Sequence, residues 1–474
     1  MTSGLLLFAA VAMTPDYAWL TVPAEIAPLN FDLDREARVT LTSSAGGVLR
    51  AGGRRIRFRE RPWRDFLAAA KGGWYELRIT GEDGAALLTA TNRVSADPID
   101  PFLTYRLIPP SYGAFDAMGI YERDLTSFRE RALYETRQTE RGQCVNCHTT
   151  NRGDPETFLF HKRAVDPGTV IASPKYGLFK HPVRHPGAAF GSGTYPAWHP
   201  GGDYIAFSVN ETRQSFFLAS AAKLEVADLQ SDLVLYNLAD RRVIPVDTDP
   251  KTFECFPAWS PDGRTLYSVQ AKVPFDIDPT NEMNRTEAVF GNLAVLDANT
   301  VRYAMVERKF DEKTLSFSPP QTVVSSSRTG MSVLFPRITP DGRYAFVTIA
   351  AFGVFPIWHR ESDLAIVDLK ARSLRVASEL NSPEADSYHT ISSNGRWLVF
   401  SSRRVDGVYT RPFFAHFDPA TVSFSKPFIL PVENPDDHAR RFLSYNIPEF
   451  AKGPVRYSRS QLRRVPDVGG GGGR

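Results

Sequence analysis

One motif returns four times after residue 190, and a recurring unit restricts the possible folds more than composition does. Tyr195-Pro196-Ala197-Trp198-His199-Pro200-Gly201-Gly202-Asp203 lines up with Phe256-Pro257-Ala258-Trp259-Ser260-Pro261-Asp262-Gly263-Arg264 and with Phe335-Pro336-Arg337-Ile338-Thr339-Pro340-Asp341-Gly342-Arg343. Tyr388-His389-Thr390-Ile391-Ser392-Ser393-Asn394-Gly395-Arg396 is a looser fourth copy. Each copy reads as a β-hairpin: Pro presets the turn, Asp or Asn closes it through its side chain, and Gly tolerates positive φ. Further strand pattern follows in Leu233–Tyr236, Asn292–Leu296, Leu364–Val367 and Phe414–Phe417. A hairpin plus a second strand pair per unit is the arithmetic of a β-propeller blade. The uneven spacing of the copies leaves room for inserted loops or a degenerate blade, and about six blades fit residues 166–465.

The rest of the chain is divided by pattern. Residues 18–97 show short alternating runs between Gly-rich turns, the signature of a small β-sandwich, interrupted by one helix over Trp63–Lys71 that stops at Gly72-Gly73. Residues 98–165 are Pro- and Tyr-rich and then read as helical from Glu122 to Thr136, predicting a short helical cofactor segment. Residues 1–17 hold an apolar run, Leu5–Met13, that reads as a secretory signal or a first strand, and residues 466–474 read as a disordered tail. The predicted class is therefore mainly β: a sandwich, a helical segment and a propeller.

Two of only three cysteines fall in Cys144-Val145-Asn146-Cys147-His148. C-x-x-C-H is the attachment pattern of a c-type haem, in which two thiols bond the porphyrin and the histidine gives the iron its proximal imidazole. A thioredoxin-like pair, a zinc site using the His181/His185 H-x3-H pair, and a plain disulfide are the competing readings. The expected cofactor is one covalent haem c with its iron. His161, flanked by phenylalanines and 13 residues past His148, is the expected sixth ligand, with Met118 as the alternative. His181, His185, His199 and His389 are expected to be structural, and Cys255 to be a small buried hydrophobe.

The hairpins resemble the WD40-like, PD40-group repeats of TolB-type β-propellers. The fuller pattern adds Ile26–Phe31, the C-x-x-C-H, Trp358-His359 and Ser444-Tyr445-Asn446-Ile447-Pro448-Glu449-Phe450. It is similar to a family of TolB-like proteins with one haem motif, often labelled cytochrome c biosynthesis proteins. That resemblance implies the architecture, and it implies a similar F-H-x-R after the haem motif, here Phe160–Arg163.

A net charge of +3 over 474 residues does not indicate nucleic acid as a partner. No apolar stretch is long enough to span a membrane. Haem attachment to C-x-x-C-H takes place outside the cytoplasm, so an extracytoplasmic, periplasmic location is expected. Electron transfer is the leading function, with the propeller as docking platform for a redox partner protein or cytochrome. The alternatives are a TolB-like interaction scaffold or cytochrome c assembly factor with a structural or sensory haem, and an enzyme of peroxidase or hydrolase type. No G-x-S-x-G, P-loop, Rossmann fingerprint or H-E-x-x-H is present.

Overall fold

The computed structural model describes residues 11–109, 117–138, 142–186, 191–217, 223–247, 249–274 and 301–468. The apolar run at residues 5–10, the strand pattern at 292–296 and the tail from 469 lie outside them.

The first unit is one sheet, not the predicted sandwich. Strands β1 (Met13–Thr14), β2 (Thr21–Pro23), β3 (Phe31–Ser43), β4 (Val48–Ile56), β5 (Trp74–Thr80) and β6 (Ala86–Ser95) pair in the order β1-β3-β5-β6-β2, with β4 also on β3. Helix α1 (Glu60–Ala69) takes the place a second sheet would fill, burying Trp63, Phe66 and Leu67 against the sheet. Trp63 sits 5.3 Å from Phe58 and 6.3 Å from Tyr75, ring to ring.

The described residues from Phe102 to Ala451 form the propeller. Blade 1 comprises β7 (Phe102–Ile108), β8 (Gly119–Asp124) and β9 (Glu130–Glu135); blade 2 comprises β10 (Cys144–Asn151), β11 (Asp154–Arg163), β12 (Gly168–Ser173) and β13 (Gly177–His181). Blade 3 comprises β14 (Gly193–Trp198), β15 (Tyr204–Phe216), β16 (Leu224–Asn237) and β17 (Val243–Asp247). Blade 4 runs β18 (Thr252–Trp259), β19 (Thr265–Lys272), β20 (Ala304–Asp311), with short β21 (Ser316–Phe317) and β22 (Gln321–Val324) at its edge. Blade 5 comprises β23 (Ser332–Ile338), β24 (Tyr344–Ala350), β25 (Asp363–Asp368) and β26 (Ser373–Val376). Blade 6 runs β27 (Asp386–Ile391), β28 (Trp397–Ser402), β29 (Arg411–Asp418), with β30 (Ser423–Phe424) and β31 (Phe428–Ile429). The last strand, β32 (Ser444–Ala451), returns to blade 1 and pairs antiparallel with β7. Among the described residues the ring thus has six blades, closed by joining the two ends of the chain in one sheet.

This corrects the reading of residues 98–165. They are not a helical segment between two domains but blade 1 and the first half of blade 2. The charges between Glu122 and Thr136 looked helical because they are mixed with apolar residues. In the structure they pair across strands, Glu122 facing Arg131 with an ion pair at 2.7 Å. Residues 466–468 are likewise ordered, the Val468 N–H donating to the Lys180 carbonyl at 3.1 Å.

The repeated turn works as its residues suggest. In blade 4 the Ser260 hydroxyl donates to Asp262 at 2.6 Å and accepts from the Thr265 N–H at 3.0 Å, with Gly263 at φ +73°. Blade 5 replaces the usual Trp-Ser by Ile338-Thr339, yet Thr339 makes the same two bonds, at 2.6 and 3.1 Å. Ser392 and Asn394 repeat them in blade 6. The sheet unit is fixed to blade 6 through the connecting segment: Trp397 Nε1 donates to the Asp97 carbonyl at 3.1 Å, and Asp100 accepts from the Ser393 hydroxyl at 2.7 Å.

Candidate functional site

The inner strand of each blade carries the same irregularity. A bulge interrupts β10, β14, β18, β23, β27 and β32, and at each one a non-glycine residue takes positive φ: Cys147, Tyr195, Phe256, Phe335, Tyr388 and Ile447. Left-handed backbone is unfavourable for such residues. Here it turns six side chains toward the axis. Four of them form a chain of edge-on rings, with centroids 4.5 Å apart for Tyr195 and Phe256, 5.3 Å for Phe256 and Phe335, and 5.2 Å for Phe335 and Tyr388. Cys147 and Ile447 complete the circle with smaller groups.

This collar divides the axial channel. On the side of the hairpin turns lies a cavity of about 310 Å³ bordered by Trp198, Trp259, Arg337 and Glu449. On the other side lies one of about 330 Å³ into which Cys144, Cys147 and His148 face. The C-x-x-C-H is therefore not on a separate cofactor segment; it is the inner strand of blade 2. The bulge makes the difference chemically. In a regular strand, residues three apart point to opposite faces, but the extra residue brings both thiols onto one cavity wall.

Cys144 and Cys147 are free thiols. Burial raises the Cys147 pKa and keeps that thiol protonated, and both cysteines stand on a strand rather than at the helix N-terminus a thioredoxin-like pair uses. Its Sγ accepts the Tyr195 N–H at 3.5 Å. Among the described residues no three His, Cys, Asp or Glu side chains converge on a common point, so no zinc-type ligand set forms there. His148 is 2% exposed, and burial pushes its pKa down to about 3, so the imidazole is neutral. The ring hydrogen-bonds to the Thr104 main chain of blade 1, while Nε2 is buried with no partner. A neutral imidazole fixed through one nitrogen with the other orphaned is the arrangement a metal-binding histidine needs. Two thiols on one wall and this orphan fit a c-type haem.

The other sequence candidates are elsewhere. His161, on β11, bonds through Nδ1 to the Thr169 hydroxyl at 3.1 Å and through Nε2 to the Ser192 hydroxyl at 3.0 Å, and it does not border the cavity. Met118 is buried just before β8 and does not border it either. His199 bonds to the Gly263 carbonyl at 3.2 Å, and His181 stacks on Tyr236 at 5.1 Å. Cys255 is fully buried beside Asn210. His389 stands at the bulge-following position of blade 6 as His148 does in blade 2, bonded to the Phe346 main chain with its own Nε2 unpartnered.

Residues far apart in sequence complete the site. Beyond Val209, β15 and β16 no longer pair with the rest of their blade and form a two-stranded arm. Thr212, Gln214, Leu224 and Val226 on this arm border the cavity. Its Glu225 reaches the loop after β24 in blade 5, where His359 Nε2 meets the carboxylate at 2.8 Å and His359 Nδ1 meets Glu361 at 3.1 Å. The arm is thus clasped over the mouth. No sequence signal links Glu225 to His359.

Six antiparallel sheets around an axis, with a walled cavity at one mouth, define a six-bladed β-propeller. Among solved structures the chain is similar to TolB from Acinetobacter baumannii, at 11% identity and TM-score 0.45 over 93% of this chain and 98% of that one. An oligogalacturonate lyase in complex with manganese aligns at 12% identity and TM-score 0.39 over 69% and 74% of the two chains. A Mycobacterium tuberculosis puromycin-hydrolyzing peptidase aligns at 12% and 0.40 over 76% of this chain and 49% of its own. No family model and no curated protein matches. The blade count rests on the strand pairing described above. No helix of the described residues is long and apolar enough to cross a membrane.

Proposed function

We propose that this protein is an extracytoplasmic propeller that carries one c-type haem at its channel mouth and exchanges electrons with a redox partner protein docked on the ring. Cys144 and Cys147 would form the thioethers and His148 the proximal bond to iron. When bound, the haem supplies a one-electron redox centre. The chain's own residues bind and shield it: the aromatic collar closes one side of the cavity and the clasped arm covers another. The observation that carries this reading is that Cys144, Cys147 and His148 border one cavity, with the His148 Nε2 buried beside it and without a partner. His161 would have to give up its bond to Ser192 or Thr169 to serve as sixth ligand, and Met118 would have to leave the core. Of these three residues, His148 is therefore the one that would hold the iron.

A second reading, a scaffold or assembly factor without redox function, is favoured by one specific observation. Cys147 and His148 occupy positions that every blade fills, and His389 makes an equivalent inter-blade bond with Tyr388, not a cysteine, before it. Protein exported from a host with c-type maturation machinery separates the two. The haem reading requires a mass above that of the bare polypeptide and a pyridine haemochrome spectrum, both lost in Cys144→Ala/Cys147→Ala. A wild-type mass equal to the polypeptide alone would leave the scaffold reading.

A further inference from the structure

We infer that the channel mouth recognises carboxylate groups on an otherwise apolar ligand through Arg163 and Arg106. This rests on the haem reading to the extent that it assigns these guanidiniums to the porphyrin propionates. The described side chains bordering the cavity include two arginines and no carboxylate. Both arginines stand on the second strands of neighbouring blades: Arg163 on β11 opposite Cys144, Arg106 on β7 opposite Asn446. They therefore flank the cysteine pair from two sides. Arg106 is 7% exposed and donates from Nη1 to the Val145 carbonyl at 3.0 Å, which fixes its fork beside β10. Arg163 is half-buried and makes no ion pair among the described residues. Asp228, a buried acid on β16, is engaged elsewhere. It accepts from the Tyr303 hydroxyl at 2.7 Å and from Asn210 at 3.1 Å, and so is turned inward.

A planar guanidinium in a partly dry cavity binds a carboxylate by paired, charge-assisted hydrogen bonds, which an ammonium does not reproduce. Leu224, Val226 and Phe355 supply the apolar face for the body of the ligand. The geometry gives the cavity a polarity, with thiols and imidazole at the collar and cations beside them.

The test needs no covalent attachment. Full-length Cys144→Ala/Cys147→Ala protein is titrated with protoporphyrin IX and with its dimethyl ester, following porphyrin and tryptophan fluorescence. The diacid is expected to bind at least tenfold more tightly than the ester. Adding Arg163→Gln should remove most of that preference, and Arg163→Lys should restore only part of it. Equal affinity for diacid and ester, a preference untouched by Arg163→Gln, or no binding of the diacid would each overturn the inference. The diacid–ester comparison needs no arginine variant to fold. Covalent haem in the exported wild type is scored separately, so each reading fails on its own measurement.

Discussion

Replacing His359 with Gln should weaken the protein at neutral pH and leave it almost unchanged at alkaline pH. His359 is 5% exposed and bonded to Glu225 and Glu361, and these carboxylates raise its pKa to about 9 against the cost of burial. An ordinary imidazole titrates at about 6.5, and each factor of ten in proton affinity is worth about 1.36 kcal/mol. The clasp's proton-linked stability is then about 3 kcal/mol. Because the folded-state value is raised, that stability is fully present below pH about 6.5 and is lost as pH rises through about 9. Unfolding entropy of about 2.1 cal/mol/K per residue is about 1 kcal/mol per degree over a chain of 474 residues. Wild type should therefore melt about 3 °C above His359→Gln at pH 6 and within about 1 °C of it at pH 10. Gln can still donate to one carboxylate but loses the charge and the ring contact with Phe352 at 4.5 Å, so it is the pH-dependent part of the difference that isolates the ion pair. A gap that is independent of pH, or that widens toward pH 10, would refute the assignment of a protonated His359.

Two further perturbations test the packing that positions the site. Gly263 and Gly330 both have positive φ, but a Cβ on Gly263 would overlap His199 Nε2 while one on Gly330 meets open space. Gly330→Ala should cost about 1 kcal/mol and Gly263→Ala several times that, as read by thermal melting; equal losses would mean that His199 moves aside freely. Arg308 is 1% exposed and pairs with Glu254, itself 1% exposed, and with Asp247 at 2.6 Å. Burial pushes the Glu254 pKa up to about 8, whereas Arg308 helps hold that of Asp247 below the usual carboxylate range, so Arg308→Met should cost about 2 kcal/mol by leaving the Asp247 carboxylate without its cation, and adding Asp247→Asn should recover most of it. No recovery in the double variant would show that the loss comes from packing rather than charge.

The propeller was legible wherever the turn chemistry was explicit, because Ser or Thr, Asp or Asn, and Gly are each required by a bond or a φ angle in blades 4, 5 and 6. Blades 1 and 2 escaped for a physical reason. Blade 2 makes its inner turn with Arg152-Gly153, both at positive φ between paired Asn151 and Asp154. That two-residue turn needs none of the Pro-Asp chemistry. Blade 1 borrows its inner strand from residues 444–451, which no local pattern ties to residue 102. The C-x-x-C-H drew attention to itself and so hid that Cys147-His148 is the counterpart of Tyr195-Pro196 and Phe256-Pro257. The arm, the His359 clasp and the two arginines are made by contacts between blades, for which periodicity gives no signal.

That correspondence also explains why the cavity is where it is, and it yields the sharpest test. Four blades send an aromatic ring to the axis, and blades 1 and 2 send Ile447 and Cys147. The space under the collar therefore lies on the side where rings are missing. Cys147→Phe should restore a fifth ring and fill part of the 330 Å³ cavity, whereas Cys147→Ala should enlarge it slightly. Both variants remove one thioether. If the site works only through covalent attachment, the two should be equally impaired in holding a porphyrin. If the shape and charge of the mouth do the binding, Cys147→Ala should still take up protoporphyrin IX without a covalent bond, while Cys147→Phe should lose at least tenfold in affinity with its melting temperature no lower than that of Cys147→Ala. Uptake by Cys147→Phe equal to that of Cys147→Ala would mean that the ligand does not sit beneath the collar, and the assignment of this cavity as the site would fall with it.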